Sequence, residues 1–182
     1  MKKINLLLFC IIIFISCNQQ NKKESISIDN RTLTFFEPSD LGAFGSKTRL
    51  IIYANFDECG EWGGHEESFE IYSKEDKEFY AKYIRTKVDC EKIGKPEFQQ
   101  PDISTEYKLN RKNIIAVNTY LSELIQSKIS ERFPGHAGQK FGVIKSDSTL
   151  IIDVYDHNKR NLNNYNNLLK SFNIEKVEYD YQ

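Results

Sequence analysis

Apolar and polar residues alternate in several short stretches of the first half of the chain. The alternation covers residues 26–35, 49–56, 67–74 and 78–90, which are rich in Ile, Phe and Tyr. A period of two with β-branched and aromatic side chains is typical of strands that are buried on one face. We expect a first hairpin or bent strand at 26–35. Only the polar turn at 75–77 separates the last two stretches, so the later three should form a meander.

The second half of the chain changes to a helical period. Between residues 110 and 133 apolar side chains recur every three or four positions, which predicts an amphipathic helix of about five turns. Asn110 is suited to the N-cap and Pro134-Gly135 to termination. Residues 140–155 alternate around Asp147-Ser148 and predict a hairpin, and residues 159–172 predict a second, shorter helix.

Two further segments are expected to be extended. Residues 91–102 contain Gly94, Pro96 and Pro101 and predict a connection without regular structure. Residues 174–181 alternate apolar and charged positions and predict a terminal strand. Strands followed by a helix, a hairpin, a helix and a strand indicate an α+β fold, an antiparallel sheet of several strands packed against one long and one shorter helix.

The N-terminus has the parts of a secretory signal. Lys2 and Lys3 precede an apolar run at 6–15, and Ser16 supplies a small residue before Cys17. A run of this length is shorter than the roughly 20 residues that a spanning helix needs, so we expect residues 1–16 to be a cleaved signal peptide.

The segment Phe-Ile-Ser-Cys, ending at Cys17, resembles the lipobox of bacterial lipoproteins. In that family a small residue precedes a cysteine that is lipidated on its sulfur and becomes the mature N-terminus. The resemblance implies lipidation of Cys17, attachment to a membrane of the bacterial cell envelope and a domain facing outside the cytoplasm. The polar residues that follow predict a lipidated N-terminus and tether at 17–25. The alternative is an ordinary secretory signal in which Cys17 is incidental.

Composition limits the size and partners of the mature protein. Removal of the signal leaves about 166 residues, which suits a single α+β domain at 26–182. Lys2 and Lys3 leave with the signal, so 23 of the 25 basic residues remain against 26 acidic ones, a net charge of about −3. This balance does not favour nucleic acid as a partner.

The cysteines indicate one disulfide. Cys10 lies in the signal and Cys17 would carry lipid, which leaves Cys59 and Cys90 in the domain. Two cysteines in an exported chain are expected to pair because the compartment is oxidising. If the turn of the meander centres at 75–76, Cys90 also falls opposite about position 61, in the loop that begins with Cys59.

The loop 57–67, with sequence DECGEWGGHEE, contains the candidate chemistry. We interpret it as a tight turn fastened by the disulfide, with Trp62 folded over the end of the sheet as an apolar lid. Trp62, His65, Glu66 and Glu67 are then candidate binding residues. The alternative for the cluster of His65, Glu66 and Glu67 is a solvated loop without a binding role. The alternative is a zinc site formed by Cys59, Cys90, His65 and Glu66. Its spacing is a weak match, because neither cysteine has a nearby second ligand and Phe69 stands where His-Glu-x-x-His needs histidine.

Catalytic motifs are not apparent, so no catalytic residue, metal or cofactor is expected. The sequence lacks a Gly-x-Ser-x-Gly elbow, and a bridged Cys59 would not be a thiolate nucleophile. We therefore expect a membrane-anchored lipoprotein with a non-enzymatic binding or structural role. Its partners would be the membrane, through the lipid, and a protein or small-molecule ligand. The alternative is an envelope hydrolase or zinc-dependent enzyme centred on residues 59–67.

Overall fold

A computed structural model describes residues 34–75, 78–131, 138–156 and 159–179. Six strands and two helices lie within these residues: β1 (Leu50–Asn55), β2 (Glu66–Ser73), β3 (Phe79–Val88), β4 (Gln99–Lys108), α1 (Arg111–Ser130), β5 (Gln139–Lys145), β6 (Ile151–Asp156) and α2 (Arg160–Ser171). The strands form one antiparallel sheet in the order β4-β3-β2-β1-β5-β6. The predicted α+β fold, with one long and one shorter helix, is confirmed.

One face of the sheet is apolar and carries the core. Alternate side chains of the central strands are buried on that face, namely Leu50, Ile52, Ala54, Phe69, Ile71, Ala81, Tyr83, Phe141 and Val143. The two helices bury their own apolar stripes in the same core through Val117, Tyr120, Leu121, Leu124, Leu162, Tyr165, Leu168 and Leu169. Removal of this apolar surface from water is the main stabilising contribution to the fold.

Local sequence signals set the start of α1 and the last hairpin. The Asn110 side chain accepts a hydrogen bond from the Asn113 amide at 3.1 Å, and the Asn113 side chain accepts one from the Asn110 amide at 3.1 Å. This reciprocal capping satisfies two amides that the first turn of the helix leaves free. The predicted β5–β6 hairpin is also confirmed, with the Asp147 side chain accepting from the amide of Thr149.

The predicted connection at 91–102 is wrong in its last part, because β4 begins at Gln99. Pro101 disfavours a strand at this position, since proline has no amide hydrogen for a sheet ladder. In the described sheet β4 is an edge strand, and its register shifts opposite Arg85 and Thr86 at the position of Pro101. Edges and bulges are where a strand tolerates proline.

The predicted terminal strand is wrong for residues 174–179, which do not join the sheet. A side chain of α2 holds this segment instead. The Val177 amide donates to the Asn166 side chain at 2.8 Å, and the Asn166 side-chain amide donates to the Val177 carbonyl at 3.0 Å. Asn166 therefore substitutes for a partner strand, and it leads the C-terminal segment past one end of the sheet.

Several sequence predictions concern residues outside the described ranges. These are the signal peptide at 1–16, Cys17, the tether at 17–25, most of the first hairpin and the terminator Pro134-Gly135. Among the described residues, none of the helices has the length and apolarity needed to cross a bilayer.

Candidate functional site

The disulfide predicted between Cys59 and Cys90 is confirmed, with 5.4 Å between the two Cα atoms. Cys59 precedes a single 3-10 turn at Gly60–Trp62, and Cys90 begins another at Cys90–Lys92 just after β3. The bridge therefore fastens the loop between β1 and β2 to the end of β3. This end of the sheet carries the candidate site.

Glycine lets the loop fold tightly before β2. Gly63 ends the 3-10 turn with a φ of +86°, a conformation that side chains disfavour. Gly64 is required for a different reason, close approach. A methyl group there would lie 1.8 Å from Glu58 Oε2 and 2.7 Å from the Phe56 carbonyl oxygen. The two glycines thus bring His65 against the residues that precede the disulfide.

The lid predicted for Trp62 is wrong, because the residue is 68% exposed. Trp62 sits in the 3-10 turn, whose three residues include no buried one. Trp62 therefore projects from the loop into solvent, away from the core.

His65 is held between an aromatic ring and two carboxylates. Its imidazole stacks on Phe56, with 4.2 Å between ring centroids and 4° between planes. The His65 amide donates to Glu58 Oε2 at 3.0 Å, and the ring Nδ1 contacts the same carboxylate. The other ring nitrogen, Nε2, lies 3.4 Å from Glu67 Oε1. Both nitrogens of the imidazole thus face negative charge.

The carboxylates keep His65 charged. Burial alone would lower the pKa of His65, but hydrogen bonds and charge from Glu58 and Glu67 outweigh it and raise the pKa to about 9. Burial would likewise raise the pKa of Glu58, yet the hydrogen bond from His65 leaves it below its ordinary value. At neutral pH the group is therefore an imidazolium between two carboxylates.

Glu67 lies beneath this cluster, on the core side of the sheet. Its residue surface is only 2% exposed. The phenols of Tyr83 and Tyr165 lie near its carboxylate, although none of the three side chains hydrogen-bonds another in normal geometry. Burial first, and then the charge of Glu67, raise the pKa of both phenols, so both stay neutral. Glu67 is a buried carboxylate with polar neighbours.

An ion pair between neighbouring strands lies beside the cluster. Arg85 Nε and Nη2 donate to Asp102 Oδ2 at 2.8 and 2.6 Å. Asp102 is the extra residue where Arg85 opposes Ile103 and Thr86 opposes Pro101. A bulge redirects the side chain of its extra residue, which here places Asp102 against Arg85. Burial would lower the pKa of Arg85, but Asp102 outweighs it and raises the pKa.

These groups line an open cleft of about 340 Å³. Glu58 and His65 form one side, Arg85 and Asp102 another, and the C-terminal segment 175–178 closes the third. Tyr179 fixes that segment through a hydrogen bond from its hydroxyl to Asp57. We name this feature, bounded by Glu58, His65, Glu67, Arg85, Asp102 and residues 175–178, the sheet-end cleft.

The structure brings together two of the four predicted binding residues. His65 and Glu67 share the sheet-end cleft, whereas Trp62 projects from the loop. Glu66 precedes Glu67 in β2 and therefore points to the opposite face of the sheet. The sequence interpretation missed Glu58, Arg85 and Asp102. Glu58 could have been identified from the sequence, since it lies in the same short loop as His65. The Arg85–Asp102 pair depends on a bulge that has no sequence signature.

The zinc arrangement of this segment needs thiolates and a free imidazole nitrogen. The sulfur atoms of Cys59 and Cys90 are bonded to each other, and each His65 nitrogen faces a carboxylate. Within the described ranges, no three His, Cys, Asp or Glu side chains are grouped so that they could hold a metal ion. The arrangement therefore offers an ionic cleft, with Cys59 and Cys90 in a covalent cross-link.

The charge on His65 should make stability depend on pH. Its folded pKa, about 9, lies above the unfolded value of 6.5, so its contribution is complete below about pH 6.5 and is lost as pH rises through about 9. That rise corresponds to at most ~3 to 4 kcal/mol. We expect His65→Gln to destabilise the protein near pH 6, with a smaller difference near pH 9.5, in urea unfolding. A difference that stays constant over this range would contradict the charged imidazole.

Comparisons with known proteins leave function to be argued from this geometry. No protein-family model, curated protein or solved structure matches the chain. The sheet-end cleft, the disulfide-fastened loop and the N-terminal segment are therefore the features from which a function is inferred.

Proposed function

We propose that this protein is a lipid-anchored lipoprotein of the bacterial cell envelope whose domain binds a ligand in the sheet-end cleft without converting it. The lipobox-like segment before Cys17 supports the anchor. The disulfide supports an oxidising location, since such bonds persist outside the reducing cytoplasm. An open cleft lined by ionic side chains supports a binding role.

The state of His65 is the observation that favours binding over catalysis. A general base needs an unprotonated nitrogen with a pKa near the working pH. His65 has a pKa of about 9, and both of its nitrogens face carboxylates. The hydrolase or zinc enzyme centred on 59–67 would need that nitrogen free, and it would also need Cys59 outside its disulfide.

The proposed lipid anchor determines the cellular location of the protein. Each acyl methylene buried in a bilayer contributes roughly 0.8 kcal/mol, so more than one chain is needed for stable attachment. Lipidation of Cys17 would supply such chains at the start of the mature protein. The polar residues after it would hold the domain at a distance from the membrane surface.

Cys17→Ala should release the protein from membranes. Without the sulfur no acyl chain can be attached, and we expect most of the protein to move from the membrane pellet to the soluble fraction. Incorporation of radiolabelled palmitate into the wild type, and none into the variant, provides the chemical readout. Cys10→Ala is the matched control, since Cys10 lies within the signal and should leave both readouts unchanged. A Cys17→Ala protein that stays membrane-bound and labelled would contradict the anchor.

A further inference from the structure

We propose that the sheet-end cleft recognises a monocationic hydrogen-bond donor, an ammonium or guanidinium group, a ligand class that rests on the proposed binding function. The observations that carry it are the charge balance of the cleft, the buried Glu67 carboxylate and the two partly exposed carboxylates at its sides. The charge balance points to one missing positive charge, and the carboxylates supply acceptors that a cation could use.

Carboxylates outnumber cations in the cleft. Five acidic side chains line it against four basic ones, with His65 counted as charged. Arg85 is matched with Asp102, and Lys176 with Glu178 at 2.8 Å. Lys87 and Glu175 add one cation and one carboxylate to the lining, which cancel in the count. His65 is the one cation shared by Glu58 and Glu67. The Glu58–His65–Glu67 cluster therefore carries one net negative charge, which a single cation would neutralise.

Glu67 is the most buried carboxylate of the cleft, with His65 and the phenols of Tyr83 and Tyr165 as its neighbours. Its Oε2 atom is buried and has no hydrogen-bond partner in the part of the chain that the structure describes. Its Oε1 atom lies 3.4 Å from His65 Nε2, a long and therefore weak hydrogen bond for a charged pair. A buried carboxylate without full compensation is unfavourable, and in a medium of low dielectric constant its field extends several ångströms. A cation in the cleft above it would be attracted without direct contact.

Two other carboxylates can meet the ligand directly. The Glu58 and Asp102 side chains, at different sides of the cleft, are each about one third exposed. A carboxylate has about four acceptor positions, so the hydrogen bonds to His65 and Arg85 leave capacity for donors from a ligand. An anion would meet the same carboxylates with the wrong charge. A neutral ligand would gain nothing from Glu67.

The proposal is tested by titrating small probes into the full mature chain in detergent micelles. The probes are n-butylammonium and n-butylguanidinium, with n-butylurea as neutral control and butyrate as anionic control. We expect saturable shifts of the His65 and Thr86 backbone amide signals at millimolar concentrations of the two cations. We expect none with butylurea or butyrate, and weaker binding at higher ionic strength.

Variants connect the binding to the cleft. Glu67→Gln and Glu58→Gln should each weaken binding of the cations about tenfold. Glu58 is partly exposed, so its variant keeps the test valid if Glu67→Gln fails to fold. The matched control is Glu106→Gln, a carboxylate outside the cleft that pairs with Lys74. It should bind the cations as the wild type does.

The outcomes separate the ligand class from the binding function. If butylurea or butyrate binds saturably with the same affinity as the cations, the proposal of a cationic ligand is contradicted. The proposed binding function of the cleft is then retained. No shift with any of the four probes would contradict both. A lysine peptide with blocked ends then distinguishes the source, because it should bind if the cation belongs to a protein side chain. Binding of butylammonium without binding of that peptide would assign a small-molecule amine.

Discussion

Cys59→Ser is expected to lower the free energy of unfolding by about 3 to 4 kcal/mol. The disulfide joins residues 31 positions apart, and closing a loop of that length removes this much conformational freedom from the unfolded chain. For a domain of this size the loss corresponds to a melting temperature lower by roughly 10 °C. Thermal unfolding followed by circular dichroism without reductant measures it.

The matched variants for this prediction are Cys90→Ser and the double replacement of Cys59 and Cys90. All three remove the same bond, so they should melt at similar temperatures, and reductant should lower the wild type to their level. If reductant leaves the melting temperature of the wild type unchanged, and the single variants melt at that same temperature, no disulfide constrains the chain.

Phe69→Ala is expected to lower the free energy of unfolding by about 3 to 5 kcal/mol. Phe69 is fully buried at the centre of β2, where its ring centroid lies 5.1 Å from that of Tyr83 and 4.7 Å from that of Phe172. Truncation removes buried apolar surface and leaves a cavity between the sheet and α2. Urea unfolding at neutral pH, with the midpoint and slope fitted together, measures the loss.

Ile129→Ala provides the control for the core. Ile129 is 81% exposed near the end of α1, so its truncation should change stability by less than about 0.5 kcal/mol. Equal losses for Phe69→Ala and Ile129→Ala would contradict the assignment of the core to the helix-covered face.

The elements that the sequence predicts correctly are those specified by neighbouring residues. The α1 cap needs only Asn110 and Asn113, and the β5–β6 hairpin needs only a polar turn between two alternating stretches. The disulfide was also predictable from the sequence. An exported chain meets an oxidising compartment, and only two cysteines remain in the domain, so only one pairing is possible. The cap and the hairpin depend on residues close together in sequence, and the disulfide follows from the number of cysteines.

The missed elements depend on tertiary context. Pro101 is compatible with a strand only because β4 lies at an edge and shifts register there. Residues 174–179 alternate as a strand does, but Asn166 takes the backbone groups of Val177. Both outcomes depend on which part of the fold each segment packs or pairs with. The sequence pattern does not specify that partner.

The site was only partly predictable for the same reason. His65 and Glu67 were identified from an unusual cluster of residue types, and they do meet in the sheet-end cleft. A large apolar residue such as Trp62 favours burial, yet Trp62 lies exposed in a surface turn. The Arg85–Asp102 pair follows from a one-residue bulge, which no pattern of polarity records.

The proposed binding role depends most on His65 being an imidazolium held between two carboxylates. The most direct measurement is the ¹⁵N chemical shift of both His65 ring nitrogens at neutral pH, assigned by comparison with His65→Gln. We predict that both nitrogens carry protons at pH 7 and that the ring titrates near pH 9. A neutral ring at pH 7, with one unprotonated nitrogen, would contradict the account and make His65 available as a base or metal ligand.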